Sequence, residues 1–250
     1  MMPSTLIAVW QDTLQCAPPA PVPSIKVVHH RREPRPAADA KVKVTVHDAD
    51  TFELARRYPR PLVMNLADDL FPGGWVADGA CTQEESLFRR SNYFRTLVPA
   101  FYPIRDGEAV YSPQVTVFKD TAAREHRGLD EPFTVDLIAC PGVKYPALAD
   151  DGHLQAADVR RLVQKVELIL QVAETFQHRT VVMGALGCGA WRCPPRDVAT
   201  VIRSVLEAAT WRIDEVAFAI LRPKAGRDAN NPNLANDNFE QFCRVFDVRS

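Results

Sequence analysis

Short apolar runs alternate with amphipathic stretches along most of this chain, and that alternation limits the fold more than any other feature. Leu62-Val63-Met64-Asn65-Leu66, Phe133–Cys140, Thr180–Met183 and Val216–Ile220 are too short for buried helices and rich in β-branched residues, so they read as strands. Val42, Val44 and Val46 alternate with polar residues, the pattern of a half-buried strand. Ile25–His29 and Val115–Phe118 complete the set. Helical spacing of apolar residues predicts helices over 4–16, 50–58, 83–97, 153–176, 194–210 and 233–248, with a loop-rich stretch before Ser112. Strands separated by helices predict an α/β domain, a mostly parallel sheet covered on both faces. Pro18-Pro19-Ala20-Pro21-Val22-Pro23 ends the first helix and makes a stiff connector. The expected division is therefore an accessory segment over 1–40, with a loop at Glu33–Asp39, and a main domain over 41–250.

Bulk properties narrow the partners. With 250 residues, 46% of them hydrophobic, one domain can bury a full core. A net charge of -1 supplies no global positive field, so neither sequence-specific nucleic-acid binding nor attachment to an anionic membrane is expected. The basic clusters His29-His30-Arg31-Arg32 and Arg56-Arg57 read as solvated faces. Cysteines at 16, 81, 140, 188, 193 and 243 include no C-x-x-C pair, which argues against a disulfide framework and against a zinc site. No metal and no cofactor is expected. The start lacks a basic region of the kind that opens a signal peptide, and no apolar run reaches membrane-spanning length. The expectation is a soluble, cytoplasmic protein.

Two glycine loops carry the chemistry. The first runs Phe71-Pro72-Gly73-Gly74-Trp75 and leads through Asp78 to Thr82-Gln83-Glu84-Glu85; the second is Gly184-Ala185-Leu186-Gly187-Cys188-Gly189-Ala190-Trp191. Each follows a predicted strand and precedes a predicted helix, the place where α/β sheets bind ligands. Glycines let backbone N–H groups approach phosphate oxygens, and a helix N-terminus adds partial positive charge. Together the loops suggest a pocket for a diphosphate beside an acid. A plainer reading treats Gly73, Gly74, Gly187 and Gly189 as tight turns only. Thr82-Gln83-Glu84-Glu85 likewise fits a capping box, with Thr82 as N-cap and Glu85 reaching back. Asp68, Asp69 and Asp78 read as polar loop residues.

These residues resemble a known family. Asn65-Leu66-Ala67, Pro72-Gly73-Gly74 and Gln83-Glu84-Glu85, with Tyr111-Ser112-Pro113, Gly187-Cys188-Gly189-Ala190-Trp191, Pro194-Pro195 and Asn238-Phe239, look like the microbial-type poly(ADP-ribose) glycohydrolases. That family is a branch of the macrodomain fold whose signature joins three glycines to Gln-Glu-Glu. The resemblance implies a three-layer α/β/α macrodomain with a mixed, mostly parallel sheet and an N-terminal helix and strand. It implies hydrolysis of ribose–ribose O-glycosidic bonds in poly(ADP-ribose), releasing ADP-ribose. By likeness, Glu85 is the general acid that protonates the leaving 2′-oxygen, and Glu84 orients substrate hydroxyls. Gly73, Gly74 and the Gly187-Cys188-Gly189-Ala190 loop would wrap the diphosphate, and Trp191 would pack on the distal ribose. Asn65, Trp75 and Gln83 would line the ligand, and Asp50 would contact adenine. The partners implied are poly(ADP-ribose) or ADP-ribosylated macromolecules, with ADP-ribose as product. Trp75 departs from the pattern, standing where the signature has its third glycine. This predicts an indole that blocks the diphosphate or strains the loop, and it motivates two alternatives: an ADP-ribose reader without activity, and a hydrolase of mono-ADP-ribosylated protein or nucleic acid.

Glycoside hydrolysis needs acid assistance to the leaving oxygen. Adjacent helical residues diverge by roughly 100°, so Glu84 and Glu85 are not expected to straddle a sugar, and one acid with a positioned water is the simpler scheme. A negative charge about 6 Å away, at an effective dielectric of about 20, contributes roughly 2.8 kcal/mol. Glu84 and a bound diphosphate are thus expected to keep Glu85 protonated against a helix-end effect of about 1 kcal/mol.

Overall fold

The computed structural model describes residues 2–20, 22–31, 41–222 and 237–248. Its strands are β1 (Ile25–Val28), β2 (Lys43–His47), β3 (Leu62–Asn65), β4 (Glu108–Lys119), β5 (Gly128–Ala139), β6 (Thr180–Met183) and β7 (Glu215–Ala219). Its α-helices are α1 (Pro3–Cys16), α2 (Thr51–Ala55), α3 (Gln83–Arg90), α4 (Ala156–Thr175), α5 (Pro195–Ala208) and α6 (Asn238–Phe246). The strands form one sheet in the order β1-β4-β5-β3-β6-β7-β2. β1, β4 and β5 pair antiparallel, and β5, β3, β6, β7 and β2 pair parallel. The expected three-layer α/β/α architecture with a mixed sheet is what forms.

The layers follow from strand alternation. Leu62 and Met64 of β3 join the core beneath α4, α5 and α6, while Val63 joins the core beneath α1, α2 and α3. All four residues of β3 are buried, as a central strand requires. The N-terminal segment is part of this construction. β1 pairs with β4, and Trp10 of α1 packs on Phe88 and Phe94 at centroid distances of 6.3 and 5.2 Å. Arg89 fastens α1 to the chain around the glycine turn, its Nε donating to the Leu6 carbonyl and its Nη2 to those of Val76 and Ala80.

Three expectations shift. The helix read over 83–97 stops at Arg90, because Ser91 is extended and bridges Val117 while its hydroxyl bonds back to the Leu87 carbonyl. The end of the loop read before Ser112, from Glu108, is instead the first half of β4, disguised in the sequence by Pro113 and by Gln114 at positive φ, where the register with β5 shifts. The helix read over 50–58 is a single turn capped by Asp50. The start of the helix read from 233 lies outside the described residues, and its described part begins at Asn238 behind an Asp237 cap.

Candidate active site

β5, β3 and β6 are adjacent and parallel, so the loops that follow them leave the same edge of the sheet. The first glycine turn leaves the middle strand; the Cys140–Tyr145 loop and the second glycine loop flank it. Asp68 shapes the first turn by accepting, on Oδ1, the N–H groups of Leu70 (2.8 Å) and Phe71 (3.0 Å).

Both glutamates are gripped by this turn. Glu84 is 2% exposed and accepts from Asp68 N (2.7 Å), Asn65 Nδ2 (3.0 Å) and Gly73 N (3.2 Å). Burial pushes it up to about 8 against the pull of the Asp68 N–H and the Asn65 amide, and the charge on Glu85 adds to the rise. The Asn65 side-chain Oδ1 has no partner among the described residues, so the amide turned over could accept the proton of a neutral Glu84. Glu85, 3% exposed, forms the capping box: Oε2 accepts the Thr82 N–H (2.9 Å) and hydroxyl, and Oε1 accepts the Trp75 N–H (3.2 Å).

The carboxyl groups nonetheless converge. Gly74 has φ +55°, and a Cβ there would lie 2.6 Å from Glu85 Oε1 and 3.1 Å from Glu84 Oε2. This corrects the expectation of divergence: the side chains leave the helix apart, but each bends back to the same turn for its N–H donors. The bare face of Gly74 is where a substrate atom could meet both. Gly74→Ala is expected to lower stability by about 1–2 kcal/mol through its left-handed backbone and to cost at least about tenfold in activity, because the new methyl displaces the Glu85 carboxyl. Urea unfolding and steady-state rates on one preparation would show both; unchanged rates would place the chemistry elsewhere.

The N–H groups of the first turn are engaged within the protein. Gly73 and Trp75 donate to the glutamates, Gly74 to the Phe71 carbonyl and Val76 to the Gly73 carbonyl. The N–H groups of Gly73 and Gly74, which the sequence reading offers to a diphosphate, are thus bonded within the protein, and the turn holds carboxylates. The second loop differs. Cys188 N–H donates to Ala185 and its buried thiol faces the Leu186 carbonyl, whereas the N–H groups of Gly187, Ala190 and Trp191 make no bond among the described residues. Gly187 is at φ +74° with its Cα 2.9 Å from where a Cβ on Gly142 would sit, so these loops touch backbone to backbone. Gly189 and Ala190 are exposed.

Trp75 does not strain its turn. Its backbone is at φ -106°, open to any residue, and its indole is 59% exposed, pointing out of the turn against Phe71. The side chain leaves on the solvent side of a chain pinned by its N–H.

Gln83 splints the site: Oε1 accepts the Leu66 N–H and Nε2 donates to the Met64 carbonyl. Asp50 caps α2 and pairs with Arg90 (2.7 Å), remote in its bonding from both glutamates. Lys144 was not expected. It bonds Asp68 (3.1 Å) and Asp69 and lies over the Trp191 ring at 5.0 Å, joining the two glycine loops. The signal was a lysine just past a predicted strand, on the binding edge. A cavity of about 540 Å³ between α5 and α6 takes no lining residue from either loop. Among the described residues no His, Cys, Asp and Glu cluster could hold a metal, and no helix is long and apolar enough to cross a membrane.

Residues 18–120, which carry β3, the first glycine turn and both glutamates, match the family described as the microbial-type PARG catalytic domain. This stretch is similar to a microbial-type PARG catalytic domain. The match spans less than half of the chain, and the fold extends the likeness over the rest. Poly(ADP-ribose) glycohydrolase (PARG) from Thermomonospora curvata shares 24% identity at a TM-score of 0.75, covering 97% of this chain and 99% of that one. The same enzyme bound to the inhibitor ADP-HPD matches at 24% identity and a TM-score of 0.75, over 96% of this chain and 99% of that one. PARG from Deinococcus radiodurans in complex with ADP-ribose matches at 25% identity and a TM-score of 0.68, over 98% of this chain and 92% of that one. No curated protein sequence matches the chain significantly. In this chain the Gln-Glu-Glu run serves two ends at once, building a helix start and aiming two carboxyl groups at one glycine.

Proposed function

We propose that the chain hydrolyses ribose–ribose O-glycosidic bonds in poly(ADP-ribose) and releases ADP-ribose, with Glu85 as general acid. The observation that carries this reading is the meeting of Glu85 Oε1 and Glu84 Oε2 over the bare face of Gly74. Oε2 of Glu85 already accepts two donors from Thr82, so Oε1 is the oxygen able to carry a proton to the leaving 2′-oxygen. As the glycosidic bond breaks, water attacks the anomeric carbon and its proton passes to solvent or back to Glu85. Glu84, neutral near pH 7, can both donate to and accept from a substrate hydroxyl and so fix the sugar. The diphosphate falls to the second loop, where the N–H groups of Gly187, Ala190 and Trp191 make no bond among the described residues, and its charge favours the protonated acid. Glu84 does not contribute that charge, which revises the expectation drawn from the sequence. Asn65 and Gln83 act by positioning Glu84 and the start of α3.

The exposed indole and unstrained backbone of Trp75 favour the hydrolase over the reader alternative. Domain boundaries follow the same proposal: residues 41–250 supply the catalytic unit, and 1–40 brace it through α1 and β1. A cytoplasmic location is part of it too, supported by six cysteines that all stand as free thiols. The test is incubation with labelled poly(ADP-ribose) and identification of the product. ADP-ribose is expected; intact polymer bound without release would replace the hydrolase with a reader, and release only from mono-ADP-ribosylated protein would move the substrate.

A further inference from the structure

Among the described residues, three aromatic side chains are exposed: Phe71, Trp75 and Tyr145. All three stand at the binding edge, two on the loop after β3 and one on the loop after β5. Exposed rings clustered at one site, in a chain that covers its other aromatics, mark a surface with a use. Phe71 and Trp75 are 51% and 59% exposed and meet edge to face at 5.9 Å and 61°, which leaves ring faces open to solvent. Leu70, also half exposed, extends the apolar patch.

The pair is held in place. Asp68 Oδ1 fixes the Phe71 N–H, the Phe71 carbonyl accepts from Gly74, and the Trp75 carbonyl accepts from Asp78 and Ala80. The Trp75 N–H ends on Glu85 Oε1, so the indole is rooted one residue from the atom assigned to proton delivery. A general acid sits on the side of the leaving group. Rings rooted at Glu85 belong on that side, while Lys144, lying over Trp191 and paired with Asp68, ties the second glycine loop to the first. A ligand for uncharged, flat, preorganised ring faces is itself a flat π-system, and the leaving unit of the polymer carries adenine.

We propose that Phe71 and Trp75 form a base-stacking subsite for the adenine of the ADP-ribose unit on the leaving side of the scissile bond. This rests on the hydrolase reading above. The subsite gives two or more linked units an advantage over one, and it explains an indole at a position whose backbone would accept glycine equally well.

Equilibrium binding in a Glu85→Gln background, which preserves the ligand, tests it with a two-unit poly(ADP-ribose) fragment and with ADP-ribose. The fragment is expected to bind about tenfold or more tighter, as base–aromatic stacking provides. Adding Trp75→Ala should erase most of that ratio with the Kd for ADP-ribose unchanged within about twofold, and Trp75→Phe should keep most of it. A ratio untouched by Trp75→Ala, or both affinities falling together, overturns the subsite. If the wild-type protein leaves the fragment uncut while the ratio behaves as stated, the hydrolase reading falls and the stacking site stands. If neither ligand binds, both fall.

Discussion

Replacing Glu85 by glutamine is expected to slow ADP-ribose release by about 10²–10⁴-fold, the usual contribution of a positioned general acid. Glutamine keeps the length and shape of the side chain but carries no transferable proton. Its cost in stability is modest, because one carbonyl oxygen can still accept the Thr82 N–H while the –NH₂ group faces the Trp75 N–H and loses that bond. A loss of about 1 kcal/mol is in line with other helix caps. The capping box makes a control necessary, since Glu85 could matter only as the clasp of α3. Thr82→Ala removes the clasp from the other side and leaves the acid in place. If the cap alone mattered, both variants would lose similar activity. The acid role predicts that Thr82→Ala stays within about tenfold of wild type in kcat while Glu85→Gln does not. Circular dichroism and urea unfolding of both would show that the difference is chemical.

How far the sequence reached depended on the kind of force at work. Strand existence was legible at Leu62–Asn65 and Thr180–Met183 because full burial of both faces demands continuous apolar residues. The end of α3 was not, since Ser91 and Asn92 stop it through a bridge to β4 and side-chain bonds that only the folded sheet provides. The first half of β4 hid behind Pro113 and a positive-φ Gln114, which read as loop signals yet form a bulge. In the site, Gln-Glu-Glu and the glycines were visible, but the direction of the turn's N–H groups was not. Pattern cannot tell an N–H aimed at a phosphate from one aimed at a carboxylate. Trp75 departs from expectation for a similar reason: a signature glycine suggests a need for positive φ, and here the backbone has none. Lys144 gained its place from a cross-loop ion pair with Asp68 that no local spacing announces.

The buried carboxyl of Glu84 makes the protein's stability depend on pH in an uncommon direction. Its pKa is about 8 in the folded chain against an ordinary value of 4.5. Between those limits the folded state holds a proton that the unfolded state releases, so stability falls as pH rises, is free of this penalty below about 4.5 and carries all of it above about 8. At 1.36 kcal/mol per unit, even part of the shift amounts to about 2–4 kcal/mol. Glu84→Gln cannot ionise and can keep its carbonyl on the Asp68 N–H, so it should be more stable than wild type at pH 8 by about that amount and nearly equal at pH 5. His126, lowered to about 4 by burial, titrates with the opposite sign at lower pH, but it is common to both proteins and cancels in the difference. Urea unfolding at pH 5, 6.5 and 8 reads the effect; a stability gap that stays constant with pH would mean that the turn's N–H donors keep Glu84 ionised. The same titration should appear in catalysis. A neutral Glu84 adds no charge to compete with the substrate diphosphate, so wild-type activity should decline above about pH 8 as Glu84 ionises, and Glu84→Gln should lack that alkaline limb whatever its absolute rate.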